Sequence, residues 1–220
     1  MSIAVVGANR GIGLEIVRNL CQQGEEVFAF CRKSSSELEG LNPKKIMENF
    51  EVTDAEKMQN LLNQASLPKL DQLFHVSGIL RSSSFEDLNP KNIEEQFLVN
   101  SLGPILSVQA FLPYLNTNAK IGLLTSRMGS IADNSSGGSY GYRMSKAALN
   151  AAGKSLSLDL KDRGHTVLLL HPGWVRTEMT RGTGHLEADE SASGLIEIMN
   201  SKTIEDSGTF WHVSGEELPW

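Results

Sequence analysis

The chain has 220 residues, a formal net charge of −6 and two cysteines. That length suits one domain, residues 1–220, with a substantial core, and is short for a nucleotide domain plus a separate substrate domain. The lysines and arginines are scattered, with no basic stripe of the kind a nucleic-acid backbone requires, and no apolar run approaches the about 20 residues of a bilayer crossing. Neither nucleic acid nor membrane is an expected partner. Met1-Ser2-Ile3-Ala4-Val5-Val6 already reads as a strand, without a basic segment and apolar stretch of signal length, so a cytoplasmic protein is expected.

Strand and helix patterns alternate along the chain, which predicts a parallel sheet covered by helices on both faces. The first strand, Ile3 to Val6, runs into Gly7-Ala8-Asn9-Arg10-Gly11-Ile12-Gly13, and a helix from Ile12 to Gln23 follows. A glycine turn alone can be a mere bend. Between a first strand and a first helix, however, its amides and the helix dipole converge where a phosphate would lie. The second strand, Glu26 to Phe30, ends at Cys31-Arg32-Lys33. Enzymes that use NAD commonly place an acid there for the ribose 2′-hydroxyl; a neutral residue and two cations, with Arg10 nearby, favour the 2′-phosphate of NADP(H) over NAD(H). Cys21 and Cys31 have no metal-type spacing and read as reduced thiols.

A short turn is expected at Ser35 to Glu39, then a strand from Lys45 to Phe50, a helix from Asp54 to Ala65 and a strand from Leu70 to Val76. Asn89-Pro90 is a helix start, an asparagine cap followed by a proline at the first helical position, and the pattern continues to Leu115. The strand Ile121 to Thr125 is followed by Asp133-Asn134-Ser135-Ser136-Gly137-Gly138-Ser139, a flexible loop placed beside the ligand-binding carboxyl edge of the sheet. A helix from Tyr140 to Asp162 ends before Gly164; the strand Thr166 to Leu170, the helix Asp189 to Asn200 and the strand Thr209 to Val213 complete the chain. Seven strands predict an α/β fold with an open, Rossmann-like doubly wound sheet, since a barrel needs eight units.

Tyr142 and Lys146 stand four residues apart on the predicted helix and share a face. An ammonium beneath a phenol stabilises phenolate and brings an ordinary pKa of about 10 toward the proton-exchanging range. Tyr140 is the competing tyrosine, but its i+4 residue is Met144. His75, His165, His171, His185 and His212 show no ligand spacing, so no metal is implied. Met128, Trp174 and Met179 are candidate walls of an apolar substrate pocket. The apolar ending Leu218-Pro219-Trp220 predicts an ordered, packed tail over Glu216 to Trp220.

The GxxxGxG loop, Asn100 in Asn100-Ser101-Leu102-Gly103, Ser126 after strand five, Tyr142-x-x-x-Lys146 and Pro172-Gly173-Trp174-Val175-Arg176-Thr177 come in this order. Together they resemble a short-chain dehydrogenase/reductase across nearly the whole chain. Met128 to Asn134, Tyr140 to Arg143 and Glu217 to Trp220 look like the C-factor and sniffer-like carbonyl reductase branch. The resemblance implies an NADPH-dependent reduction of an aldehyde or ketone to an alcohol, with a small-molecule carbonyl or alcohol substrate and a homodimer or homotetramer as the assembly. In it Ser126 holds the carbonyl oxygen, Tyr142 gives it a proton, Lys146 lowers the Tyr142 pKa and binds ribose, and Asn100 holds a relay water. Substrate contacts would come from Ser126, Met128, Tyr142, Trp174 and Met179. The cofactor would lie on Gly7, Asn9, Arg10, Gly11, Ile12 and Gly13, on Arg32, on Glu51 and Val52 beside adenine, on Gly78, Tyr142 and Lys146, and on Pro172, Gly173, Val175 and Thr177 at its nicotinamide end. Three positions depart from the family pattern. Val6 replaces a threonine or serine, His75-Val76-Ser77-Gly78 stands for NNAG, and Ser126 lies sixteen residues before Tyr142, a longer interval than is common. A protein that binds the cofactor on this fold and serves in signalling or redox sensing is the alternative of a different class.

Overall fold

The computed structural model describes all 220 residues and contains one seven-stranded sheet, every strand pair parallel. In chain order its elements are β1 (Ser2–Val6), α1 (Gly11–Gln22), β2 (Glu26–Phe30), α2 (Ser36–Gly40), β3 (Lys45–Met47), α3 (Ala55–Gln64), β4 (Leu70–His75), α4 (Pro90–Phe97), α5 (Gly103–Phe111), β5 (Leu115–Leu124), α6 (Tyr140–Asp159), β6 (Thr166–His171), α7 (Ala188–Ser201) and β7 (Thr209–His212). The strand order is β3-β2-β1-β4-β5-β6-β7. The chain therefore reverses its direction of winding between β1 and β4, and the crevice this opens at the carboxyl ends is where doubly wound sheets bind ligands.

Strands buried on both faces need apolar residues at every position, which explains runs such as Thr166-Val167-Leu168-Leu169-Leu170. Alternate side chains feed two cores. Val6, Leu73, Leu123 and Leu169 pack on the side of α3, α5 and α6, while Val5, Phe74, Leu168 and Leu170 pack on the side of α1 and α7. The first core is centred on Phe30, Phe50 and Phe111, with Phe30 edge-on to both neighbours at 5.1 and 5.0 Å. Such offsets suit the ring quadrupoles and fix the rings more tightly than area burial alone.

Several boundaries differ from expectation. β3 stops at Met47 because Asn49 takes a left-handed φ of 62°; this turns the backbone so that Asn49 and Phe50 amides donate to the Arg32 and Cys31 carbonyls. β5 begins at Leu115, six residues early, and absorbs the extra length in a register irregularity opposite Leu70 to Gln72. α6 gives way to a 3₁₀ turn at Lys161–Arg163, which Gly164 ends at a φ of 78°. α7 starts at Ala188 behind a reciprocal cap between Glu187 and Glu190.

The predicted helix from Pro90 to Leu115 is divided. A π-helical turn at Leu98–Leu102 separates α4 from α5, and a 3₁₀ turn at Leu112–Tyr114 closes it. Asn89 caps it as expected, accepting from the amides of Lys91 and Asn92. Pro90–Tyr114 is long and apolar enough to cross a membrane by composition, contrary to the expectation of no such run. Here its Val108 and Phe111 lie in the core between sheet and α6, and its buried Gln96, Asn100 and Ser101 all hydrogen-bond to protein.

Candidate active site

The carboxyl ends of β1, β2, β4, β5 and β6 border a cleft of about 540 Å³. Its floor at one end is the glycine loop. Gly7 has a φ of 90°, and a Cβ on it would lie 2.8 Å from the Ser77 amide nitrogen; a Cβ on Gly13 would lie 2.1 Å from the Gly7 carbonyl oxygen. Both positions need glycine so that the turn, α1 and the segment after β4 approach one another. The Gly7 amide donates to Phe30 O at 2.8 Å, which ties the loop to β2. Arg10 precedes α1 without a side-chain cap, so the first amides of that helix remain available to a ligand. An extended cleft over bare helix amides and a glycine cradle fits a dinucleotide pyrophosphate, the group the sequence implies.

Of the expected cofactor residues, Gly7, Asn9, Arg10, Gly11, Ile12, Gly13, Arg32, Glu51, Val52, Gly78, Tyr142, Lys146, Pro172 and Thr177 line this cleft. Gly173 and Val175 do not. Gly173 turns the chain after β6 with a φ of 83°, and Val175 is buried in a bridge to Leu186. Arg32 is exposed on the cleft wall, while Arg10 Nη1 donates to Glu178 Oε2 at 2.5 Å, an exposed pair that spans from the glycine loop to the segment after β6. Sequence reasoning named Ser77 only as part of the segment standing for NNAG and did not single out Ile79 and Arg81 after β4, or Glu178 and Arg181 after Thr177, all of which line the cleft. Their only signal was position after a strand at the carboxyl edge.

At the inner end β5 delivers Thr125 and Ser126. Ser126 is buried, starts a 3₁₀ turn at Arg127–Gly129 and accepts from the Met128 amide at 3.2 Å. This turn rests directly on α6, where a Cβ on Gly129 would lie 2.7 Å from the Lys146 carbonyl carbon. The close approach brings Ser126 beside Tyr142, a half-buried residue of the cleft wall, across the sixteen intervening residues. Arg143 holds the intervening loop, donating to Gly137 O, Met128 O and Ser136 Oγ. The serine-glycine segment predicted to be flexible is thus pinned from its own helix, at Gly137 and Ser136.

The electrostatics of Tyr142 and Lys146 differ from the expectation. The Lys146 Nζ donates to Leu124 O at 2.8 Å and sits 5.9 Å from the centre of the Tyr142 ring. Burial pushes Lys146 down to about 7 and the Tyr142 phenol up to about 12, with the neighbouring Ser126 hydroxyl opposing the second rise. Burial is the dominant effect on both groups in this arrangement, where the ammonium is turned toward the strand and is itself disfavoured by burial.

Asn100 sits in the π-helical turn, fully buried. Its Oδ1 accepts from the Ile79 amide at 2.8 Å, and its Nδ2 donates to Ile79 O and to Ser145 Oγ. These bonds clamp the segment after β4 onto α6. Among the expected substrate residues, Met179 lines the cleft; Met128 lies in the serine turn, and Trp174 is 45% exposed, with its Nε1 donating to Thr183 O.

The short chain dehydrogenase family profile matches residues 2–188. The 1-hydroxy-2-glutathionyl-2-methyl-3-butene dehydrogenase of Rhodococcus sp. (strain AD45) is 38% identical over 100% of this chain and 99% of its own. The C-signal of Myxococcus xanthus is 45% identical over 126 residues, 56% of this chain and 76% of that protein. Among solved structures, the NADPH-bound carbonyl reductase from chicken fatty liver superimposes with a TM-score of 0.91 at 32% identity, covering 100% of this chain and 98% of that one. The carbonyl reductase Sniffer of D. melanogaster gives 0.92 at 29% identity, covering 100% and 99%. A doubly wound sheet, a glycine cradle under a nucleotide-sized cleft and a whole-length match to these enzymes place the chain in the short-chain dehydrogenase/reductase family of oxidoreductases.

Proposed function

We propose that the protein is an NADPH-dependent carbonyl reductase that converts an aldehyde or ketone to the alcohol. The observation that carries this reading is the meeting of Tyr142 and Lys146 on the wall of the glycine-loop cleft, with Ser126, buried and not itself lining the cleft, beside Tyr142. NADP binding by similar solved structures supports the cofactor choice, as does the absence of an acid at Cys31-Arg32-Lys33.

Bound NADPH would supply a hydride to the carbonyl carbon, held by the glycine loop, Thr177 and the cleft wall at Arg32. Negative charge then develops on the carbonyl oxygen, and a donor fixed at that point lowers the barrier. Ser126 donates to this oxygen and Tyr142 transfers its phenolic proton to it; in alcohol oxidation Tyr142 takes the proton instead. A phenol held up to about 12 by burial is fully protonated at neutral pH, the form a reductase requires. Lys146, released from Leu124 O, is the group that would bring the phenol back toward neutrality, and Asn100 holds the segment after β4 in place. The direction of the reaction is open to the alcohol side as well, since the Rhodococcus relative is named for a hydroxy substrate bearing a glutathionyl thioether.

The test is NADPH oxidation against aldehydes, ketones and quinones, with NADP⁺ reduction by thioether alcohols in parallel. Turnover with none of them, alongside tight NADPH binding, would favour a second reading. That reading is a cofactor-binding signalling protein, suggested by the C-signal relative.

A further inference from the structure

Lys146 lies over β5 with a histidine on the strand to each side. His75 ends β4 and His171 ends β6. His75 pairs with Val6 and Leu123, both of the α6-side core, so its ring projects toward the layer that carries Lys146. It is 1% exposed, and its Nε2 is buried with no partner. A buried acceptor left unpaired costs free energy, and a short polar side chain could have closed β4 instead.

Lys146 lies near enough for its charge to act on the His75 ring. Burial first, and then Lys146, push His75 down to about 3, so it is a neutral acceptor at every working pH. A Cβ on Gly78, three residues on, would lie 3.7 Å from Lys146 Nζ and 3.2 Å from Asn100 Oδ1. Around Lys146 stand His75 from β4, Leu124 O from β5, His171 from β6, Tyr142 from its own helix and Asn100 from the π-helical turn. No carboxylate acts on it, and burial alone depresses it. Of its three donors, one is used, at Leu124 O.

Building on the reading of Lys146 as a site residue, we propose that His75 is the positioning residue for Lys146: its unpaired Nε2 accepts, through one water, from an ammonium proton not used at Leu124 O, and sustains the charge in the buried floor. The His at the end of β4 is then part of how this chain sets the acidity of its lysine.

The sign follows from linkage. The lysine binds its proton up to 10.5 in the unfolded chain and up to about 7 in the folded one, so this group makes the stability of the ligand-free protein rise with pH from about 7, until the buried Cys31 thiol, pushed up to about 11, acts in the opposite sense above about 9. Removing the acceptor disfavours the ammonium further, and the rise must begin at lower pH. His75→Leu is expected to move the onset of the thermal-stability rise, and the alkaline limb of kcat/KM for NADPH-dependent reduction, down by about one pH unit. His75→Gln, whose amide oxygen reaches toward the same point, is expected to restore both. Should His75→Leu fail to fold, His75→Asn, too short to reach, must show the same downward move. Profiles that superimpose on the wild type in Leu or Asn variants would overturn the proposal and leave His75 as core filling. The stability profile needs no turnover, so the idea is tested even if no carbonyl is reduced. A Tyr142→Phe variant with a normal stability profile but no turnover would separate the two readings further.

Discussion

In the proposed mechanism Tyr142 acts through one oxygen atom. Tyr142→Phe deletes the proton donor and keeps the ring that lines the cleft, so NADPH affinity measured by fluorescence titration should stay near wild type. Turnover should fall by about 10²- to 10⁴-fold, the usual worth of a positioned general acid; kcat near the wild-type value would remove Tyr142 from the mechanism. Arg32 and Arg10 differ in what they have to offer. Arg32 is free on the wall, whereas Arg10 must leave Glu178 before it can bind a phosphate. Cys31→Asp combined with Arg32→Ala should therefore reverse the preference for NADPH over NADH, because it adds an acceptor for a ribose hydroxyl and repels a phosphate. Removing one charge-assisted hydrogen bond to that phosphate costs roughly 1.5 kcal/mol or more, about tenfold in kcat/KM. An unchanged ratio of kcat/KM for the two cofactors would show that neither position reads the 2′-phosphate. That the tyrosine, lysine and glycine positions share one cleft was legible because their placement is tied to fixed spacing. The turning of Lys146 toward Leu124 O was not, since a side chain's choice between a phenol and a strand carbonyl depends on burial that spacing does not encode.

At the scale of elements, α6 and the serine turn work as one piece. Gly129 lets the turn lie against the Lys146 backbone, and a Cβ there would come within 2.7 to 2.9 Å of atoms that include main chain. Gly129→Ala should lower stability by about 1 to 3 kcal/mol, as overpacking does, and cut kcat more than it weakens NADPH binding. A melting curve, a binding titration and a kcat measurement together check this, and equal losses in kcat and cofactor affinity would argue against a local effect on Ser126. The alternation of strands and helices was legible from apolar runs and from caps such as Asn89. The division of the Pro90–Tyr114 helix was not. Nothing in Leu98-Val99-Asn100-Ser101-Leu102 departs from a helical pattern, and the π-helical turn is selected by what Asn100 meets, the Ile79 backbone and Ser145. β3 is shortened for a similar reason: Asn49 turns to satisfy carbonyls on β2's extension, a long-range demand.

Across the whole molecule the tail expected to pack at Leu218-Pro219-Trp220 is ordered but only partly buried: Pro219 and Trp220 are exposed, and Leu218 anchors it. Leu218 is buried with its amide on Phe210 O, the Trp220 ring stacks on Phe210 at 5.6 Å, and Trp220 O accepts from Ala132 beyond the serine turn. Deleting Glu216 to Trp220 should lower the melting temperature by several degrees, since it exposes Phe210 and removes a buried leucine. It should also lower kcat, because the segment from Arg127 to Asp133 loses both Ala132's partner and the Arg127–Glu216 ion pair. A truncated protein with unaltered melting and turnover would show that the tail is passive. The two ends of the polypeptide are therefore unequal handles. Met1 lies at the amino edge of β1, a strand of five residues and so roughly 16 Å from the cleft, and an affinity tag or fused partner placed there stays clear of the chemistry. One attached after Trp220 emerges beside the turn that carries Ser126, so immobilising the enzyme by that end would load the segment proposed to hold the carbonyl oxygen.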